Sequence, residues 1–443
     1  MKRAKSELPK NIWSTISAFC NTAGGWLVLG VEQLGKEFVI RGVENTEKLE
    51  QDLLNTLRGS KFNVKLLPQC KKYKFQDKTV LAFYFSVSNK KPIYFSTPAN
   101  TFIRTGSGDQ RATNEEIDAM FRDQAFGTRT NVATELTISD LYLPSLARYR
   151  DYLARFNPSH RYNRLSQDEI LTKLQIINED KLTLAGLLAF GKLDSIQKHF
   201  ADFRIDLLEI PGTSYSDAKV RYNYRLEEQE NLWEYYFALF DRLRMRIGVP
   251  FKLGDEGFAV EDAPQLEAIR EALVNMLMHS DYFSPGKARI RIFDDRLEFF
   301  NPGGLPLSFE KLMQMDASMP RNPILAKIFR AVKLAENAGF GFDKMIEGWK
   351  KFKGIEPVFS TDFVSTTTCF SLDKPRKDVG KDVGKETMEV LLSIKKNPRI
   401  TIPQLAEINS VAERTIERHI SKLKTNKLIK RIGGRKNGYW EIL

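Results

Sequence analysis

Pro264-Gln-Leu-Glu-Ala-Ile-Arg-Glu-Ala-Leu-Val-Asn-Met-Leu-Met278 is followed by Ala288-Arg-Ile-Arg-Ile-Phe293, Arg296-Leu-Glu-Phe-Phe300 and Asn301-Pro-Gly-Gly-Leu-Pro306. The first stretch repeats apolar residues at helical spacing behind Pro264, a residue tolerated in a first helical turn. The next two alternate and predict a hairpin with Asp294-Asp295 at its turn. Arg321-Asn-Pro323 then precedes a helix over 324–332. Glu336-Asn-Ala-Gly-Phe-Gly-Phe-Asp-Lys344 leads into a helix over 345–352, and 362–372 reads as a strand that closes the sheet. This order of elements predicts an α/β sandwich over 261–373.

Glu271 and Asn275 lie four apart and project from one helix face. A glutamate so placed can orient and deprotonate water, and an asparagine oxygen can hold magnesium bound to phosphates. His279 and Asp281 follow at the helix end. The sandwich can bind a nucleotide, or it can serve as a scaffold for packing and dimerisation.

Upstream, 13–21 predicts a helix, Ala23-Gly24-Gly25 a turn and Trp26-Leu-Val-Leu-Gly-Val31 a buried strand. Further strands are expected at 36–39, 79–87 and 101–104, and an amphipathic helix at 49–57, giving a compact α+β domain over 1–125. The paired glycines read either as a tight turn or as a place where backbone meets phosphate. Arg104, within Thr101-Phe-Ile-Arg-Thr-Gly-Ser-Gly108, has the same two readings: phosphate contact, or strand end. Residues 126–260 read as a mixed α/β connector with helices at 140–157, 166–177, 183–190 and 231–247 and a strand at 205–210. The aromatic set Trp233, Tyr235, Tyr236, Phe237 and Phe240 fits a core or an interface better than a stacking platform. Gly186-Leu-Leu-Ala-Phe-Gly-Lys-Leu193 imitates a phosphate loop. Leu193 stands where a magnesium-binding hydroxyl is required, and the intervening residues continue a helix, so no P-loop helicase motor is expected.

At the other end, Lys377-Asp-Val-Gly-Lys-Asp-Val-Gly-Lys385 is a charged, glycine-punctuated repeat, and 374–385 reads as a linker. Residues 386–443 predict helices at 386–395, 401–407 and 412–425, then strand, wing and strand. Ile416, Ile420 and Leu423 form the buried stripe of the third helix. Its other face is expected to offer Arg414, Thr415, Arg418, His419 and Lys422. Such a winged helix-turn-helix sets its third helix in the major groove of double-stranded DNA. Arg435 and Lys436 in the wing are expected to touch backbone or minor groove. The competing reading is a small protein-contact domain with a solvated basic face.

The charge pattern agrees with this division. The chain has 443 residues and a net charge of +12; from Lys374 onward there are 17 Lys/Arg against 8 Asp/Glu, which is +9 of that surplus. The asymmetry predicts a polyanion-binding tail. No apolar run approaches the roughly 20 residues needed to span a bilayer, and the N-terminus lacks the apolar region of a signal peptide. Cys20, Cys70 and Cys369 are far apart, and the four histidines have no zinc-ligand spacing. A reduced, cytoplasmic protein without zinc and without a membrane partner is expected.

Three stretches carry a resemblance: Ser17-Ala-Phe-Cys-Asn-Thr-Ala-Gly-Gly-Trp-Leu-Val-Leu-Gly-Val31, Pro92-Ile-Tyr-Phe95 and Phe102-Ile-Arg-Thr-Gly106. Together they resemble the AlbA_2 or Schlafen-type domain, a family described as DNA-binding. Some relatives cut nucleic acid through an initial E-x-x-E-F-K strand; the corresponding residues here are Met1-Lys-Arg-Ala-Lys-Ser-Glu7, so no such nuclease centre is expected. Residues 261–373 resemble the divergent GHKL-type ATPase domain that follows AlbA_2 domains in transcriptional regulators. By that likeness Glu271 is the general base of an ATPase and Asn275 the magnesium ligand. Gly303 and Gly304 match the first glycine box, Gly339 and Gly341 the second. Asn301 stands where the family places the aspartate that meets adenine, in Asn-Pro-Gly-Gly rather than Asp-x-Gly-x-Gly. ATP and magnesium are the implied cofactors, and a homodimer the implied assembly. The 386–443 module resembles the bacterial regulator version of the winged helix. The combined expectation is a DNA-binding transcriptional regulator modulated by ATP. The alternatives are an ATP-hydrolysing enzyme acting on nucleic acid, for example in defence against foreign DNA, and a non-catalytic assembly protein.

Overall fold

The structure is a computed structural model. It describes the chain apart from residues 1–6, 36, 107, 219, 249–262, 315–318, 336–340, 374–384, 399, 410, 426–428, 433–438 and 443. The chain divides into two units, Met1–Phe352 with Glu356–Ser371, and Lys353–Ile355 with Leu372–Leu443.

The first unit begins with helix Ile12–Asn21 and a three-stranded antiparallel sheet. Strand Lys78–Phe85 is central, flanked by Gly25–Leu29 and Gln69–Phe75. Alternation sends Leu27, Leu29, Leu81 and Phe83 to one face, where they pack on Ile12, Ile16 and the Leu49, Leu53, Leu57 stripe of helix Thr46–Arg58. The single strand expected at 26–31 is broken at Gly30, whose φ of +94° ends one strand before Val31–Leu34 begins.

Three sequence stretches far apart are joined here by buried polar bonds. Asn21 Nδ2 donates to the Ile93 and Phe102 carbonyls, both at 2.9 Å, and its Oδ1 accepts from Ile93 N at 2.8 Å. Ser17 Oγ donates to the Ile93 carbonyl at 2.7 Å and accepts from Phe102 N at 2.9 Å. A buried polar group without such partners would cost stability, so these side chains fix how the strands meet the helix.

Next come helices Leu143–Phe156, Gln167–Lys173, Leu184–Phe190 and Leu232–Ile247. Ser166 and Glu169 form a reciprocal capping box at the second of these. Trp233, Tyr235 and Tyr236 are buried, and Trp233 meets Tyr149 at 5.0 Å and Phe237 at 5.1 Å between ring centroids. Gly186 lies inside helix Leu184–Phe190, where an added Cβ would stand 2.3 Å from the Ile176 carbonyl oxygen. That glycine serves close packing against a backbone.

Six strands form the main sheet, in the order Tyr224–Arg225, Asp206–Glu209, Arg289–Ile292, Arg296–Pro302, Ser365–Ser371, Val358–Thr361. Asp206–Glu209 runs parallel to Arg289–Ile292, and the other pairs are antiparallel. Two of the strands come from the region read as a connector, so the sheet continues across residue 260. Helices Pro264–His279, Pro323–Ala331 and Gly341–Lys353 accompany the sheet. The last starts at Gly341, earlier than expected.

The second unit has helices Lys385–Lys396, Ile402–Ile408 and Glu413–Thr425, then an antiparallel pair Ile429–Ile432 and Tyr439–Ile442. Thr401 and Gln404 make a capping box at the second helix. Ile394, Leu405, Ile416, Ile420, Leu423 and Trp440 share its core.

Candidate functional site

Helix Pro264–His279 turns Glu271 and Asn275 toward a cavity of about 140 Å³. Glu271 is 8% exposed, and Asn275 Nδ2 donates to its Oε1 at 3.2 Å. That bond consumes an amide hydrogen and leaves the Asn275 carbonyl oxygen free to face elsewhere. Asn301, Gly303, Gly304 and Gly341 line the same cavity. The remaining wall is largely apolar, with Met276, Met278, Phe299, Leu305 and Met319 beside the hydroxyls of Thr366 and Thr368. An apolar pocket with a few convergent polar groups is the ordinary form of a small-ligand site.

The glycines make room for protein atoms. A Cβ on Gly341 would lie 2.7 Å from Glu271 Oε1 and 3.0 Å from Asn275 Nδ2. On Gly304 it would lie 2.2 Å from the Asp362 carbonyl oxygen, and on Gly303, at φ +99°, 2.9 Å from the Arg321 guanidinium. Asn301 Oδ1 accepts from the Ser280 hydroxyl. Gly339, the other residue assigned to the second glycine box, lies outside the described residues, as do Arg435 and Lys436.

Arg321 and Phe126 also line the cavity, and neither was singled out as a site residue by the sequence reading. Arg321 is 7% exposed. It donates to the Gly304 carbonyl at 3.0 Å, pairs with Asp123, and stacks over Phe126 at 4.7 Å. One position before Asp123, Arg122 Nε donates to Asp281 Oδ2 at 2.7 Å. Phe363 packs against Ile103, Ala112, Ile117 and Met120 close by. Helix Asn114–Asp123 is therefore tied to the rim of the cavity by two neighbouring residues of opposite charge. Asn322 Nδ2 meets the Met278 and Ser280 carbonyls at 3.0 and 2.9 Å, satisfying the end of helix Pro264–His279. The only hint of these roles in the sequence was the Arg321-Asn-Pro triplet itself.

His279 lines the cavity as well, and its pKa is depressed to about 4, first by burial and then by the nearby Arg321 charge. Its imidazole is neutral at pH 7. Among the described lining residues Arg321 is then the sole positive charge.

Elsewhere, Arg104 pairs with Asp109 at 3.2 Å and lies over the Phe19 ring at 5.1 Å. The paired glycines of the first domain are set by packing: a Cβ on Gly25 would lie 2.6 Å from the Phe19 ring, and on Gly24, at φ +73°, 2.8 Å from the Phe85 carbonyl oxygen. In the second unit Arg414, Arg418 and Lys422 are exposed and Thr415 is half-buried. His419 corrects the expectation of an open basic face: it is 5% exposed, and its Nδ1 shares a 2.6 Å hydrogen bond with the Thr387 hydroxyl. It stands three residues after Ile416 and four before Leu423, which places it on the buried stripe. That periodicity was present in the sequence.

Among the described residues no group of three His, Cys, Asp or Glu could hold a metal ion, and no helix is long and apolar enough to cross a membrane.

Three family models match parts of the chain. Residues 1–113 match "Schlafen, AlbA_2", 118–206 match a domain of unknown function, DUF8451, and 286–370 match "Putative ATP-dependent DNA helicase recG C-terminal". No curated protein matches. Among solved structures, the DIP2311 protein from Corynebacterium diphtheriae is 20% identical with a TM-score of 0.44, over 100% of this chain and 79% of that one. The N-terminal domain of a RecG-related protein from Nitrosomonas europaea is 28% identical with a TM-score of 0.20, over 25% of this chain and 82% of that one. The chain therefore joins an AlbA_2-like N-terminal domain to a domain distantly related to the RecG C-terminal and HATPase_c families, and the matches point to a nucleic-acid-associated protein with an ATPase-like module.

Proposed function

We propose that the protein binds a nucleoside triphosphate with magnesium in the Glu271–Asn275 cavity and uses it in acting on nucleic acid. One observation carries this reading: Glu271, Asn275, Asn301, Gly303, Gly304 and Gly341, drawn from three separate stretches of chain, line one cavity. Its volume, about 140 Å³, is similar to that of an apolar cavity able to take a single aromatic ring, and suits a base. The donor set fits the group. The Asn275 oxygen is available for a hard cation, and the Glu271 carboxylate is one turn away on the same helix face. When bound, magnesium and triphosphate would supply an electrophilic phosphorus with its charge partly neutralised. Glu271 would orient and accept a proton from an attacking water; Asn275 would hold the cation; Asn301 would meet the base edge.

Calorimetry on the full chain with magnesium and ATP tests the reading. Binding is expected, weakened at least tenfold by Asn275→Ala. If hydrolysis occurs, Glu271→Gln should retain binding and lose turnover by about 10²-fold or more. No heat at millimolar ATP would overturn the proposal.

A second reading has its own observation. Exposed Arg414, Arg418 and Lys422 lie on helix Glu413–Thr425, the third of three helices that precede a two-stranded hairpin. This order suits a winged helix that reads duplex DNA, as a transcriptional regulator would. Arg418→Glu with Lys422→Glu should abolish salt-sensitive duplex binding. Affinity kept within about twofold would count against it.

A further inference from the structure

The three-stranded sheet of the N-terminal domain has a second face, opposite Leu27, Leu29, Leu81 and Phe83. Alternation and register place Trp26, Tyr84 and Gln69 on one rung of that face. Val28, Ala82 and Lys71 form the next rung, then Val80 with Tyr73, then Phe75 with Lys78. Trp26 is 42% exposed, Tyr73 46% and Phe75 47%. The Trp26 and Tyr84 rings meet at 5.2 Å between centroids, and Lys71 Nζ lies over the Trp26 ring at 5.6 Å.

Two ordinary explanations fall short. Lysines on an edge strand such as Gln69–Phe75 discourage sheet-to-sheet aggregation. That accounts for Lys71, Lys72 and Lys74, but a protected edge has no use for three large exposed aromatic side chains on the same face. A protein interface accounts for the aromatics. Its centre, however, is depleted in lysine, and here Lys71 sits among the rings. The two paired strands carry four lysines, Lys71, Lys72, Lys74 and Lys78, and the turn between them one acid, Asp77. Lys72 is matched by Glu50. Exposed rings beside basic side chains on one sheet face have the chemistry that suits a single-stranded nucleic acid, whose bases stack and whose phosphates need cations.

We propose that this face binds single-stranded nucleic acid, with bases stacked on Trp26, Tyr73 and Phe75 and the backbone held by Lys71 and Lys78. The proposal rests on the nucleic-acid part of the function proposed above and adds the surface and the strandedness. It does not involve the nucleotide cavity.

The test uses the full chain and labelled oligothymidine and oligouridine of about 16 nucleotides, the upper site size of a single binding fold. Fluorescence anisotropy should show binding that weakens with salt. Trp26→Ala and Tyr73→Ala should each reduce affinity at least about fivefold. Lys71→Glu should reduce it too. Excess duplex should compete poorly. Both aromatics are exposed, so the variants are expected to fold, which circular dichroism and heat with magnesium and ATP would verify. Variants that bind single strands as tightly as the natural chain overturn the assignment of the face while leaving a nucleic-acid function intact. A natural chain that binds no nucleic acid in any form overturns both. Concentration-dependent self-association lost in Trp26→Ala, without single-strand binding, would assign the face to a second copy of the chain and overturn the proposal.

Discussion

Replacing Arg321 with methionine removes the most connected charge at the cavity. Its guanidinium is 7% exposed while its partner Asp123 is 34% exposed. Breaking a fully buried ion pair by removing one member costs about 3–5 kcal/mol, because the remaining charge is stranded. Asp123 is open enough to recover part of its hydration, which lowers that figure. Against this, the Gly304 carbonyl loses a donor, worth about 1 kcal/mol, and Phe126 loses its stacked cation. The expected destabilisation is about 2–3 kcal/mol, measured by urea denaturation. A double-mutant cycle with Asp123→Ala isolates the pair and should give an interaction energy of about 1 kcal/mol or more. Because Arg321 also helps to hold the His279 pKa down, Arg321→Met should raise it, as seen by NMR titration. Additivity within about 0.5 kcal/mol, together with an unmoved His279 titration, would refute the reasoning.

Gly304→Ala should destabilise the ligand-free protein by roughly 3 kcal/mol, since its Cβ would press on a backbone oxygen 2.2 Å away; a variant of unchanged stability that fails only in nucleotide binding would contradict this. The His279 pKa lies below its unfolded value, so the unfolded chain takes up a proton that the folded chain refuses as pH falls. Stability should therefore decline between about pH 6.5 and about pH 4, by up to roughly 3 kcal/mol, and His279→Gln should remove that part of the slope. Thr387→Val should cost the second unit about 1 kcal/mol by removing the buried hydrogen bond to the His419 ring, as thermal melts would report. For the same reason His419→Ala should act on folding before it acts on any nucleic-acid contact.

What could be read in advance follows physical range. Glu271 and Asn275 share a face because helical periodicity is local, and Pro264 marks where that helix starts. The glycines at 303, 304 and 341 were legible only as glycine-box positions by resemblance; what lies against them was not, since their neighbours Arg321, Asp362 and Glu271 are set by tertiary packing. Phe126 and Asp123 were invisible as cavity residues because nearly two hundred positions separate them from Arg321, and no local pattern marks such a contact. The sheet extended beyond its expected limit because Asp206–Glu209 pairs in parallel with Arg289–Ile292, a long-range pairing that alternation alone does not reveal. His419 was misplaced for a different reason. Its polarity suits a solvated face, but its spacing from Ile416 and Leu423 sets it on the buried stripe.

The paired contacts Arg122–Asp281 and Asp123–Arg321 have a mechanical consequence. A body pinned at one point can swivel in every sense; pinned at two it can only rock about the line that joins them. The cluster around Phe363, with Lys91 Nζ over its ring at 5.5 Å, restrains that rocking further. Helix Asn114–Asp123 therefore follows the Arg321 side chain, and because Arg321 lines the cavity, an occupant that moved that guanidinium would pull on the end of the helix.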